Sequence, residues 1–206
     1  MVKHLGLSFF CIIFLFFSKI VNAEITIQDL IFNLDKPFHL KILEALPQKA
    51  KIEYGPKNAK NTIIEFMDYF CGYCKKIHPE LVELANERND VRVIFLQHPI
   101  LSESSKVVAQ MVVAANYQQK GFELHHAIFS ISGSLTQEKL SQAIKESGVN
   151  SIKLKIDSSK DETEKIIILS SFLAGGIGAR GTPSIFVNEI FTPGYISKQQ
   201  IINMLK

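Results

Sequence analysis

The sequence predicts an α/β fold in which the two halves of one mixed sheet are separated by a block of helices. Three observations carry this. A strand, a helix and a second strand succeed one another from Thr62 to Leu96, about the length of a βαβ unit. Residues 102 to about 174 then show only helical periodicity, and β structure returns at Ser184 before a last helix.

Ile63-Ile64-Glu65-Phe66-Met67 is a nearly continuous apolar run, as expected of a central strand covered on both faces. Ile77, Leu81 and Leu84 share one face of the following helix, which is expected to bend at Pro79 because its nitrogen has no proton to donate. Val91 to Leu96 is the second strand, joined through a right-handed crossover. In the helical block, Val107, Val108, Met111, Val112 and Ala115 mark one amphipathic face. Leu135, Leu140, Ala143 and Ile144 mark a second, closed by Gly148, and Ile166, Leu169 and Leu173 mark a third. Ser184–Val187 and Ile190–Thr192 flank Asn188-Glu189, a hairpin signal. Ser197 followed three residues later by Gln200 forms a capping box that opens the final helix.

The N-terminus reads differently. Lys3 and His4 precede an apolar run from Leu5 to Phe17, and Val21-Asn22-Ala23 supplies a small-x-small site, the order of a cleaved secretory signal over residues 1–23. The run is too short to span a bilayer. Residues 24–60 form an N-terminal extension, with Ile27, Leu30, Ile31 and Leu34 at helical spacing and Leu40, Leu43 and Leu46 in a second short helix. The expected divisions are 61–101 and 179–206 for the two halves of the sheet domain and 102–178 for the inserted helices.

Export changes the counts. The full chain carries 23 basic and 20 acidic residues; losing Lys3 and Lys19 with the signal leaves 21 against 20. That balance gives no reason to expect nucleic acid as a partner. Losing Cys11 leaves one pair, Cys71 and Cys74, which excludes a disulfide-dense scaffold. The loop between them is too short to constrain the unfolded chain appreciably. Chemistry is the better reason for the pair.

Cys71-Gly72-Tyr73-Cys74 stands where a strand hands over to a helix, and a thiolate there meets free backbone N–H groups and the positive end of the helix dipole. Cys71 is the expected nucleophile, and Cys74, one turn on, can resolve a mixed disulfide. Lys75 and Lys76 add positive charge nearby. Two other readings compete: a structural disulfide, and a zinc site in which Cys71, Cys74 and His78 would need His125 or His126 from afar. No metal or cofactor is expected, and none of the six histidines is assigned to catalysis. Glu65, a carboxyl within an apolar strand, either carries a proton for Cys74 or reaches water at a strand edge. Thr182-Pro183 either opens an edge strand or forms a cis peptide beside the disulfide, with the Thr182 backbone offered to a substrate strand.

The segment from Glu65 through Cys71-Gly72-Tyr73-Cys74 to Lys75 resembles the active-site segment of the DsbA-like family of bacterial thiol–disulfide oxidoreductases. The segment Gly178 to Asn188 is similar to that family's cis-proline segment, and His125 to Phe129 and Gly148 sit as in those proteins. The likeness runs from about Gly55 to Lys206. It implies a thioredoxin-like mixed sheet with an inserted helical domain, Cys71 as nucleophile, Cys74 as resolver, Pro183 as cis-proline and Glu65 as buried acid. It also implies a periplasmic enzyme forming disulfides in cysteine-containing exported proteins and recycled by a membrane redox partner, a quinone-linked oxidase. The chain departs from the best-known oxidases, which carry Pro-His between the cysteines and valine before the cis-proline. Gly72-Tyr73 and Thr182 also fit a disulfide isomerase or reductase, with residues 24–50 as an arm for homo-oligomerisation or a helix packed on its own domain. A reading of another class is a non-catalytic metal-binding or surface protein.

Overall fold

The computed structural model describes residues 36–206; the expected signal segment 1–23 and the helical spacing of Ile27 to Leu34 lie outside the described residues. Helix α1 (Phe38–Ala45) and a 3-10 turn (Gln48–Ala50) lead to β1 (Ile52–Tyr54), β2 (Asn61–Met67), α2 (Gly72–Glu87) and β3 (Val91–Gln97). Five helices follow: α3 (Glu103–Asn116), α4 (Gly121–Phe129), α5 (Gln137–Glu146), α6 (Ser151–Ser158) and α7 (Asp161–Gly176). Then come β4 (Ser184–Val187), β5 (Ile190–Pro193) and α8 (Lys198–Met204).

The strands make one sheet in the order β1-β3-β2-β4-β5. β2 runs parallel to β3 and antiparallel to β4, so it lies at the centre and every residue of it is buried. Alternation along β2 divides the core. Ile63 and Met67 join one apolar cluster with Ile77, Leu81 and Leu84 of α2 and Ile201 of α8. Ile64 and Phe66 join a second, with Ile42, Leu43 and Leu46 from the α1 region and Ile166, Ile167 and Ala174 of α7. A period of two therefore sets Glu65 on the same side as Ile63 and Met67, toward the active-site helix.

Several features depart from the sequence reading. Ile52-Glu53-Tyr54, placed in the extension, forms an edge strand antiparallel to β3, with Ile52 opposite Phe95. Helix α1 lays Ile42 and Leu43 on the sheet, so the described part of segment 24–50 packs on its own domain. The inserted block has five helices where the apolar faces marked three, and α7 and α3 also pack against the sheet's second face. Val107 is exposed, whereas Val108 and Val112 are buried. Gly148 closes α5 at φ +72°, the left-handed conformation that favours glycine at a helix end. No described helix is long and apolar enough to cross a membrane.

Candidate active site

Strand β2 ends at Met67, and Asp68-Tyr69-Phe70 turn the chain so that Cys71 becomes the N-cap of α2. The Cys71 N–H donates to the Asp68 carbonyl at 3.1 Å, and the Lys75 N–H to the Cys71 carbonyl at 3.0 Å, the first turn of the helix. No side chain caps this end, so its free N–H groups face the sulfur. Both cysteines are free thiols. Cys71 is 8% exposed, while Cys74 is fully buried.

The Thr182–Pro183 peptide is cis and lies against Cys71, whose thiol donates to the Thr182 carbonyl at 3.1 Å. Residues 111 positions apart thus meet at one sulfur. Glu65 is 1% exposed, hydrogen-bonded through its backbone on both sides, and neither carboxyl oxygen has a hydrogen-bond partner. The strand-edge alternative for Glu65 is thereby removed.

The electrostatics separate the two sulfurs. A hydrogen bond from the Cys74 thiol holds the Cys71 pKa down to about 5; burial opposes this, and Thr182 and the backbone N–H groups of Cys74 and Tyr73 add to it. The thiol-to-carbonyl bond belongs to protonated Cys71; once the sulfur is anionic the carbonyl no longer serves it, and the otherwise unpartnered Thr182 hydroxyl is the group that can donate. Burial pushes Cys74 in the other direction, far above an ordinary thiol. Burial also holds Glu65 well above the carboxylate range, and its interaction with the Cys74 thiol opposes this only in part. The result is an anionic sulfur at the surface of the site, a protonated sulfur behind it and a protonated carboxyl next to the second.

The thioredoxin family model matches residues 48–206. The chain belongs to the thioredoxin family. Among solved structures, a thioredoxin-like oxidoreductase from Silicibacter pomeroyi is 28% identical at TM-score 0.72, over 78% of this chain and 94% of the other. A periplasmic thioredoxin-like protein from Salmonella enterica is 26% identical at TM-score 0.70, over 80% and 93%. The thiol-disulfide exchange protein alpha-DsbA2 from Wolbachia pipientis is 26% identical at TM-score 0.67, over 85% and 88%. A stretch of 83 residues, 39% of this chain, is also 28% identical to a Na(+)/H(+) antiporter from Salinispora arenicola, spanning 13% of that longer protein. The expected thioredoxin-like sheet interrupted by helices, with DsbA-like relatives, is thus found.

Around this thioredoxin-family site, Lys75 and Lys76 have other partners. Lys75 Nζ donates to the Gly133 carbonyl at 2.8 Å, and Lys76 Nζ lies 4.2 Å from the centre of the Tyr195 ring. Neither is among the groups that lower the Cys71 pKa. A cleft of 280 Å³ opens beside Cys71 between the turn after β2 and the inserted helices, lined by Tyr69, Phe70, Cys71, Lys75, Phe129 and Leu135. Behind it, Tyr69 Oη and His125 Nδ1 are 2.9 Å apart, as are His78 Nε2 and His126 Nδ1. Burial pushes His78 down to about 3 and His125 well below the ordinary range, so both are neutral. Among the described residues no group of three or more His, Cys, Asp or Glu is arranged to hold a metal ion.

Asp68 escaped the sequence reading. Its carboxylate, 1% exposed, accepts from the Phe70 N–H at 2.8 Å and from the Ile100 and Leu101 N–H groups at 3.0 Å each. The available signal was an acid at a strand's end, where a turn leaves N–H groups without partners.

Proposed function

We propose that this chain is an exported protein thiol–disulfide oxidoreductase that forms disulfides in cysteine-containing proteins of the periplasm. The observation that carries the reading is the opposite treatment of two sulfurs one helical turn apart, with Cys71 held as a thiolate and Cys74 as a buried thiol. Stabilising one sulfur as an anion stabilises the reduced pair, and that makes the disulfide a stronger oxidant.

In the oxidised enzyme, a substrate thiolate attacks Cys71 Sγ and the Cys71–Cys74 bond breaks. Cys74 leaves with the electron pair and takes a proton, for which the Glu65 carboxyl is the neighbouring source. A second substrate thiolate then attacks the substrate sulfur of the mixed disulfide, closing the substrate's disulfide and releasing Cys71 as the thiolate that the α2 N-terminus and Thr182 stabilise. Two electrons have passed to the cysteine pair. A membrane redox partner, an oxidase, removes them and restores the disulfide. Thr182 offers its backbone to the substrate strand, a role supported by its position beside the cis-proline and against Cys71.

Titration against glutathione tests the direction of use. The potential is expected nearer about −120 mV than about −270 mV; a value at the reducing end would overturn the oxidase reading and leave a reductase or isomerase. A Cys71→Ser variant is expected to lose oxidation of a reduced model protein entirely, and retained activity would remove catalysis by this pair.

A further inference from the structure

Two arms from distant parts of the chain meet at Cys71: the active-site turn after β2, and the segment between α7 and β4 that ends in Thr182-Pro183. Both arms are tied to a third segment. Gln97 ends β3, and the His98 N–H donates to the Met67 carbonyl at 2.9 Å, continuing the pairing with β2 beyond the strand. Two residues on, the Ile100 and Leu101 N–H groups donate to one oxygen of Asp68, whose other oxygen holds Phe70, the residue before the nucleophile. Toward the second arm, His98 Nε2 lies 3.1 Å from the Ala179 carbonyl. A carbonyl only accepts, so this nitrogen carries the proton, and the buried Nδ1 has no partner. Ala179 is itself buried and its N–H donates to Ala174 at 2.9 Å, so the His98 bond fixes the other side of the same residue. From there two residues, Arg180 and Gly181, lead to Thr182.

We infer that the segment Gln97–Leu101 is a clasp that sets the contact between Cys71 and Thr182, with Asp68 and His98 as its positioning residues. Neither side chain hydrogen-bonds to either sulfur; each holds the backbone of one arm against a common support. The Asp68 carboxylate suits the task because its two oxygens take three N–H groups, and an amide in its place would turn a donor toward one of them. A buried charge with three N–H donors is stable where an unpaired one is not. The histidine has a length requirement instead: its Nε2 must reach a carbonyl across the gap between two loops. Glutamine places its amide nitrogen at a similar reach, and leucine cannot donate.

The inference rests on the proposed oxidoreductase reading, and the test separates the two. In the full reduced protein, thiolate absorbance is followed against pH for the wild type and for His98→Leu, His98→Gln and Asp68→Asn, together with the rate of mixed-disulfide formation and urea unfolding. Val113→Ala, a core change in the second apolar cluster, serves as a variant destabilised away from the site. If the clasp sets the contact, His98→Leu draws the Thr182 hydroxyl, the side chain that after the Cys74 thiol holds the Cys71 pKa down, away from the sulfur, and the Cys71 midpoint rises by about one pH unit. From a midpoint of about 5, the thiolate fraction at pH 5 then falls about fivefold, and the rate with it. His98→Gln restores the wild-type midpoint, Asp68→Asn moves it in the same direction as His98→Leu, and Val113→Ala loses stability without moving it. A His98→Leu midpoint equal to that of the wild type overturns the clasp, as does one that Val113→Ala reproduces. If Asp68→Asn does not fold, the two His98 variants decide. A wild-type Cys71 that titrates as an ordinary thiol removes the oxidoreductase reading itself, whatever the variants do.

Discussion

Glu65 combines a structural cost with a proposed chemical role. Its carboxyl is buried without a hydrogen-bond partner, and burial holds its pKa well above the usual 4.5. The folded chain therefore keeps a proton that the unfolded chain releases as pH rises past about 4.5. The state that binds more protons loses ground as pH increases, so this residue lowers stability progressively from that pH upward. Glutamine cannot ionise and removes the loss. Glu65→Gln is expected to unfold in urea at pH 7 with a free energy at least about 1 kcal/mol higher than the wild type, and with little difference at pH 4. The same variant cannot give the Cys74 sulfur its proton as the disulfide opens, so formation of the mixed disulfide from the oxidised protein is expected to slow about tenfold or more. Stopped-flow trapping of that intermediate measures it. A variant as fast as the wild type would leave Glu65 with no chemical role, and one no more stable at pH 7 than at pH 4, relative to the wild type, would contradict its buried protonation.

At the scale of elements, the β4–β5 hairpin anchors the strand that carries Thr182-Pro183 at its start. Asn188 turns the hairpin at φ +52° and is buried. Its Oδ1 accepts from the Thr62 N–H and its Nδ2 donates to Asn61 Oδ1, both at 2.9 Å, so the turn is tied to the start of β2. Asn188→Ala loses both bonds and forces a Cβ-bearing residue without a compensating side chain into the left-handed region, at a cost of about 2–4 kcal/mol. Asn188→Gly loses the bonds and not the conformation, and is expected to cost about 1 kcal/mol less. Urea unfolding of the pair would show whether backbone strain contributes, since equal losses would assign the whole effect to the two bonds. This hairpin was legible in the sequence because its signal is local: two short apolar runs and a turn residue. The capping box of Ser197 and Gln200 was legible for the same reason and forms as read. β1 was not, because three residues contain too little alternation and its pairing with β3 is a tertiary fact. Helix α6 was missed because Leu154 is its one fully packed aliphatic side chain, while Ile152 and Ile156 are exposed and blur the face. In the site, Cys71, Cys74 and Glu65 declared themselves by residue type against their surroundings. Asp68 and His98 did not, because their roles depend on which distant N–H or carbonyl group they meet.

Taken as a whole molecule, the chain delivers the two sides of Cys71 from opposite flanks of a five-helix insertion, and the central position of β2 next to both β3 and β4 brings them together. On the proposed mechanism the cysteine pair exchanges two electrons and, depending on pH, one or two protons. Below the Cys71 pKa of about 5, reduction of the disulfide leaves both sulfurs protonated. Above it Cys71 stays anionic while burial keeps the proton on Cys74, so one proton is taken up. For a two-electron couple each tenfold change in proton activity is worth about 30 mV per proton. The reduction potential is therefore expected to fall by about 60 mV per pH unit below pH 5 and by about 30 mV per unit above it. Glutathione redox equilibria measured from pH 4 to pH 8 would locate the break. A single slope of about 60 mV through the whole range would mean that Cys71 is a thiol at neutral pH, and the separation of the two sulfurs on which the mechanism depends would be lost. A break displaced upward in His98→Leu but not in Glu65→Gln would further assign it to the contact at Thr182 and not to the buried carboxyl.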